Sequence, residues 1–214
     1  MAVTGAGRTD SGVHAFGQVI SFDVDWRHEE KALLRALNAV LPDDIALQAL
    51  GPKPGFHPRF DATSRRYAYY VTGANQPLMR QRTWQVYRAL DLEAMNAAAA
   101  LLVGEHDFAT FGTPPQGSST VRRVMMSEWR QEAGLLIPQA LVYRVEATAF
   151  LQHMVRRIVG LLVEIGLGVT NLEAFAARFR AADLGQAGRV APPQGLYLEA
   201  VYYGEHTLFG PDVE

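Results

Sequence analysis

The order of elements predicted from the chain is that of an α+β protein built on a largely antiparallel sheet. Three observations predict it. Two long alternating runs, Val121 to Gln131 and Leu135 to Thr148, adjoin across a turn at Gly134, as an antiparallel strand pair does. Helical periodicity falls in separate stretches among strand pairs rather than in strict strand–helix–strand alternation. The 214 residues, 49% of them apolar, suffice for one large or two small domains with a real core.

Residues 1–4 supply barely half a strand before a glycine-rich turn. Gln18 to Asp25 alternates, with Ile20, Phe22 and Val24 on one face, and predicts a strand. His28 to Leu41 places Leu33, Leu34, Leu37 and Leu41 at helical spacing, and Pro42 stops that helix. Asp44 to Leu50 and Ser64 to Thr72 predict further strands, separated by a loop rich in Gly and Pro. Asp91 is placed to cap a helix running through Met95 to Val103, and Thr113 to Ser119 has the composition of a loop. After the strand pair, Phe150 to Gly166 predicts a strongly apolar helix. Thr170-Asn171-Leu172-Glu173 has the form of a capping box opening a helix to about Ala182. Leu196 to Tyr203 alternates as a closing strand. A division into two lobes is expected within Asn75 to Leu90, separating an N-terminal lobe (1–80), which carries the glycine turn, from a C-terminal lobe (81–214).

Composition narrows the chemistry. With no cysteine, disulfide scaffolds, Cys-ligated zinc, thiol nucleophiles and iron–sulfur clusters are excluded. No apolar run approaches the ~18 residues of a membrane helix, and the expectation is a cytoplasmic protein without a membrane partner. The net charge of −2 announces no global basic field. Yet 18 of the 20 basic residues are Arg, whose planar fork suits phosphate and stacks on bases, so a local Arg-lined groove is compatible with that charge.

The densest signal is Gly5-Ala6-Gly7-Arg8-Thr9-Asp10-Ser11-Gly12-Val13-His14-Ala15. Three glycines in eight residues allow tight backbone geometry and close approach of a ligand. The spacing is neither a dinucleotide fingerprint nor a phosphate-binding loop of the Gly-Lys-Ser/Thr kind. What remains is an Asp at a turn, with Arg8 before it and His14 after it. A carboxylate so placed suits a nucleophile, a general base or a metal ligand; an Asx-turn, in which Asp10 binds only its own backbone, is the structural alternative. His14, His106 and His153 lack the spacing of a metal set, and hydrogen bonding is the expected role of each.

The glycine segment resembles the catalytic signature of the TruA-type tRNA pseudouridine synthases. Further blocks match in the same order: Leu37-Asn38-Ala39 with Leu41-Pro42-Asp43-Asp44-Ile45, Phe56-His57-Pro58-Arg59-Phe60, Arg65-Arg66-Tyr67-Ala68-Tyr69, Gly104-Glu105-His106-Asp107-Phe108, Phe150-Leu151-Gln152-His153-Met154-Val155-Arg156, and Ala191-Pro192-Pro193-Gln194-Gly195-Leu196-Tyr197-Leu198. The resemblance spans nearly the whole chain. It implies the pseudouridine synthase fold, two ferredoxin-like or RRM-like lobes sharing a sheet. Family members usually carry an N-terminal stretch of about fifty further residues that completes the first lobe, so the first lobe is expected to be incomplete here. Where the family often has Asn, this chain has Arg157.

Roles follow by the same resemblance. Asp10 is the reacting carboxylate, Arg156 its ion-pair partner, and Tyr67 stacks on the uracil. Leu196 walls the pocket, and Arg8 fills the gap left by a flipped nucleotide or grips its phosphate. Thr9 and His14 complete the substrate-binding set from within the motif. Arg65, Arg66 and Arg157, together with Arg122 and Arg123, are candidate contacts to the RNA backbone. The implied activity is isomerisation of uridine to pseudouridine at positions 38, 39 and/or 40 of tRNA, by a homodimer, with neither cofactor nor metal. Two other classes compete: a non-catalytic RNA-binding module of the same fold, and a metal-dependent phosphoester hydrolase using Asp10.

Overall fold

The structure is a computed structural model that describes residues 2–73, 76–115, 117–133, 139–204 and 206–208. Its elements in chain order are β1 (Thr4–Gly5), β2 (His14–Ala15), β3 (Ile20–Ser21), α1 (Glu30–Asn38), β4 (Ser64–Thr72), β5 (Trp84–Gln85), α2 (Leu92–Ala100), β6 (Gly104–Asp107), β7 (Val121–Glu132), β8 (Ala140–Ala147), α3 (Met154–Gly166), α4 (Leu172–Arg180), β9 (Leu196–Tyr203) and β10 (His206–Thr207). The architecture is α+β, as expected. The main sheet runs β10-β9-β4-β8-β7-β6 through antiparallel pairs. Two short strands add parallel pairs, β2 on β9 and β5 on β4.

Strand β4 takes its neighbours from the far end of the chain. Tyr67 lies opposite Val145 of β8 and Leu198 of β9, and the register on β9 shifts between Arg66 and Tyr67. Helices α2, α3 and α4 share a core with the sheet: Ile158, Leu161, Leu162, Met95 and Phe175 are fully buried together with Tyr69, Tyr143 and Val145. Burying each such side chain contributes about 1.5–3 kcal/mol, so α3 is anchored by its apolar face. The four rings of Phe108, Phe111, Phe175 and Phe179 pack beside it.

Several boundaries differ from expectation for identifiable reasons. Of Gln18 to Asp25 only Ile20–Ser21 forms a strand, because its partner β1 is two residues long. Asp44 to Leu50 forms no strand. The side chain of Asn38 substitutes for a strand partner there, its amide donating to the Leu47 carbonyl (2.9 Å) and its carbonyl accepting from the Leu47 N–H (2.7 Å). The first helix shortens to Glu30–Asn38 and the second runs Leu92–Ala100 with Asp91 capping the Ala94 N–H. Helix α3 starts at Met154 rather than Phe150, since the Gln152 N–H is drawn into a bridge to the Thr113 carbonyl. Helix α4 is capped by Asn171, whose side chain accepts from the Ala174 N–H, so the box expected around Thr170 does not form. The turn expected at Gly134 lies outside the described residues. Among the described residues, no helix is long and apolar enough to cross a membrane.

Candidate active site

The glycine segment is a loop fastened at several points. The Ala6 N–H donates to the Val19 carbonyl (2.8 Å) and the Gln18 amide to the Gly7 carbonyl (2.9 Å). The Val13 N–H donates to the Asp10 carbonyl (3.1 Å), closing the turn around the aspartate. Gly12 has φ +81°, and a Cβ there would come 3.2 Å from the Pro193 ring, so both conformation and space call for glycine. Pairing of His14 and Ala15 with Tyr197 and Leu198 then ties the end of the loop to β9.

Arg156, in the first turn of α3, reaches back across 146 positions of sequence to Asp10. Its Nη1 donates to Asp10 Oδ2 at 2.6 Å, with the guanidinium side chain 14% exposed and the carboxylate 31%. A cation in so apolar a helix is tolerable because it is paired and bonded. The guanidinium is aimed by the segment before β9: Nε donates to the Ala191 carbonyl (2.8 Å), while the Ala191 N–H donates to the Arg156 carbonyl (3.0 Å). Gly160 lets that segment lie against α3, since a Cβ would overlap the Arg189 carbonyl. From the sheet, the Tyr69 hydroxyl donates to the Pro192 carbonyl (2.7 Å). Gly195 admits the Tyr69 ring, whose Cζ would otherwise sit 2.6 Å from a Cβ.

Tyr67 projects from β4 and meets Phe150 edge-on at 4.9 Å. Burial pushes its hydroxyl up to about 12, with the Arg65 cation pulling down and the Asp10 charge pushing further up. Tyr67 therefore shares one electrostatic environment with Asp10. Leu196 is buried at the start of β9, opposite Tyr69. A third group on Asp10 comes from His153, whose Nε2 lies 3.4 Å from the same Oδ2. Sequence reasoning gave His153 only a hydrogen-bonding role; its place three residues before Arg156, on the same side of a helix start, was the available signal.

The remaining candidates separate into two groups. Arg8 and Thr9 flank Asp10 and are exposed. Arg65, Arg66 and Arg157 each engage part of the guanidinium within the protein. Arg65 donates to the carbonyls of Ala62 (3.2 Å), Thr148 (3.0 Å), Ala6 (3.3 Å) and Arg59, and so joins the glycine loop to the preceding loop and to the end of β8. Arg66 pairs with Glu146 at 2.9 Å and lies over the Tyr202 ring. Arg157 donates to the carbonyls of Phe111 (3.3 Å) and Gln152 (3.2 Å), and burial holds its guanidinium below the usual range. His14 bonds the Gln81 carbonyl (2.9 Å) and stacks on Tyr197, while His106 bonds the Val103 carbonyl (2.9 Å).

Comparison with known proteins bears on this arrangement. A family model described as tRNA pseudouridine synthase matches residues 98–204. The chain is 40% identical to a protein named tRNA pseudouridine synthase A from Neisseria gonorrhoeae strain NCCP11945, over all of this chain and 80% of that protein. It is 44% identical to one of the same name from Chloroflexus aurantiacus strain J-10-fl, over 92% of this chain and 72% of the relative. A third, from Citrifermentans bemidjiense, is 41% identical over 94% of this chain and 80% of its own length. A carboxylate held on a glycine loop by a helix-borne arginine is thus the centre of a chain that belongs to the TruA-type tRNA pseudouridine synthase family.

Proposed function

We propose that this chain isomerises uridine to pseudouridine in tRNA, at positions 38, 39 and/or 40 of the anticodon stem-loop, with Asp10 as the nucleophile acting on a flipped base. The observation that carries the reading is the Asp10–Arg156 pair at 2.6 Å, beside a tyrosine that responds to the charge on Asp10. The reaction breaks the N1–C1′ bond, turns the uracil and joins C5 to C1′; the proton lost from C5 is matched by one gained at N1. Each route to that outcome, by attack at C1′ or C6 or through a glycal, begins from an ionised carboxylate sheltered from water. Arg156 offsets the cost of that shelter. Tyr67 stacks on the extruded uracil, with Leu196 behind it. Arg8 and Thr9 face the RNA from the loop, and His14 holds the base of the loop. Arg65, Arg66 and Arg157 are further contacts to the RNA backbone in this reading, each through the part of its guanidinium not already engaged within the protein, where Arg65 uses Nη1 and Nη2, Arg66 Nε and Nη2, and Arg157 Nη1. The proposal includes a homodimer engaging one tRNA, which sedimentation with and without tRNA tests.

The deciding experiment is tritium release from [5-³H]uridine-labelled tRNA, since the C5 hydrogen leaves only if isomerisation proceeds. Release is expected from the parent chain and not from Asp10→Ala, with tRNA binding retained by both. Equal release from the two would overturn the assignment of Asp10. Binding without release from either would favour an RNA-binding module.

A further inference from the structure

We propose that His153 is a positioning residue for the reacting carboxylate: together with Arg156 it holds Oδ2 of Asp10 and leaves Oδ1 as the oxygen presented to substrate. The inference rests on Asp10 being the reacting group.

His153 has φ 62° and ψ 6°, in the left-handed region, at the N-cap of α3. For a residue with a Cβ this conformation costs about 1–2 kcal/mol, and such strain persists where the surroundings enforce it, commonly at functional sites. The helix itself gains nothing from the choice of histidine. The side chain makes no capping hydrogen bond, and Asn tolerates the left-handed turn at least as readily. What the ring does make is the approach to Asp10 Oδ2, at 3.4 Å, with the imidazole 33% exposed.

The second observation is which oxygen is used. Arg156 Nη1 lies on Oδ2 at 2.6 Å and His153 Nε2 approaches the same atom. Among the described residues, no donor reaches Oδ1. The two groups come from one helix start, three residues apart, so a single rigid element fixes the rotation of the carboxylate. Arg156 alone would restrain Oδ2 through one contact; a second group on the same atom restrains its position further, and with the backbone fixed by the loop that position sets the two torsions of the Asp10 side chain. Catalysis by a positioned nucleophile is sensitive to that position, because misplacement by an ångström costs up to about a hundredfold in rate.

His153→Asn separates the two possible roles. Asn tolerates the left-handed turn at least as readily but is too short to reach Oδ2. The positioning role predicts a kcat for tritium release about ten- to a hundredfold lower, tRNA KM within about twofold of the parent, and a Tm equal to or above it. His153→Gln, whose amide extends nearly as far as the imidazole, is expected to recover part of kcat despite the less favourable backbone. A His153→Asn enzyme with the parent's kcat, or with kcat preserved and KM raised, would overturn the proposal. So would equal loss in both variants accompanied by a lowered Tm, which marks a structural role alone. Asp10→Ala run alongside keeps the questions apart: activity surviving there removes the reading of Asp10, whereas loss there with a fully active His153→Asn removes only the role of His153.

Discussion

Tyr67 carries two consequences at the scale of the single residue. Its hydroxyl is pushed up to about 12 by burial, so it stays protonated through the neutral and mildly alkaline range. The same shift links stability to pH. Between the ordinary value of 10.0 and about 12, the unfolded chain gives up this proton while the folded chain keeps it. The folded state binds more protons there, so stability falls as pH rises through that window, and the contribution is fully present below pH 10. Tyr197 and Tyr203, pushed up to about 12 by burial, act in the same direction. Tm is therefore expected to drop between pH 9.5 and 11.5, less steeply in Tyr67→Phe than in the parent. Thermal melts across that range check it, at about 2–4 °C for each kcal/mol in a chain of this size. Parallel curves for the two proteins would contradict the assigned burial of the hydroxyl.

At the scale of elements, the segment from Arg189 to Gly195 decides where the Arg156 guanidinium points. It is fixed to α3 at Ala191, to β4 through the Tyr69–Pro192 bond, and to the glycine loop through Pro193 beside Gly12. Tyr69→Phe removes one hydrogen bond and is expected to cost about 0.5–1.5 kcal/mol of stability, with a several-fold lower kcat as the segment loosens. Gly160→Ala forces a methyl into the Arg189 carbonyl; displacing the segment is expected to cost about 1–3 kcal/mol and more than Tyr69→Phe in kcat. Chemical denaturation and single-turnover tritium release measure both. A fully active Gly160→Ala would show that Arg156 finds Asp10 without this support. The motif Ala191-Pro192-Pro193-Gln194-Gly195 was visible in sequence, but its service to Arg156 was not. That service runs through backbone carbonyls, which every residue carries and which no residue pattern announces.

For the whole molecule, binding of tRNA is expected to weaken steeply with salt despite the net charge of −2. Each neutralised phosphate contributes about −0.7 to −0.9 to the slope of log K against log salt, and exposed arginines such as Arg8 and Arg123 remain to supply those contacts. A flat dependence would contradict a phosphate-binding groove. Arg65, Arg66 and Arg157, each with part of its guanidinium engaged by carbonyls or by Glu146, are expected to add less to the slope than Arg8. Their substitution should lower stability before it lowers the salt slope.

Local rules account for what was legible in the chain by itself. Ser64–Thr72 and the alternating run Leu196–Tyr203 marked strands with the observed bounds, Asp91 marked a helix start, and the glycine spacing around Asp10 marked tight backbone geometry. These are effects of neighbours within a few positions, where backbone sterics and capping act. The tertiary structure alone decided that Asp44 to Leu50 would form no strand and that α3 would begin at Met154. It also decided that three arginines would find carbonyl or carboxylate partners within the protein and that His153 would turn to Asp10. Those outcomes depend on which distant backbone groups remain unsatisfied once the sheet has formed, and a buried donor or acceptor must find a partner wherever packing leaves one.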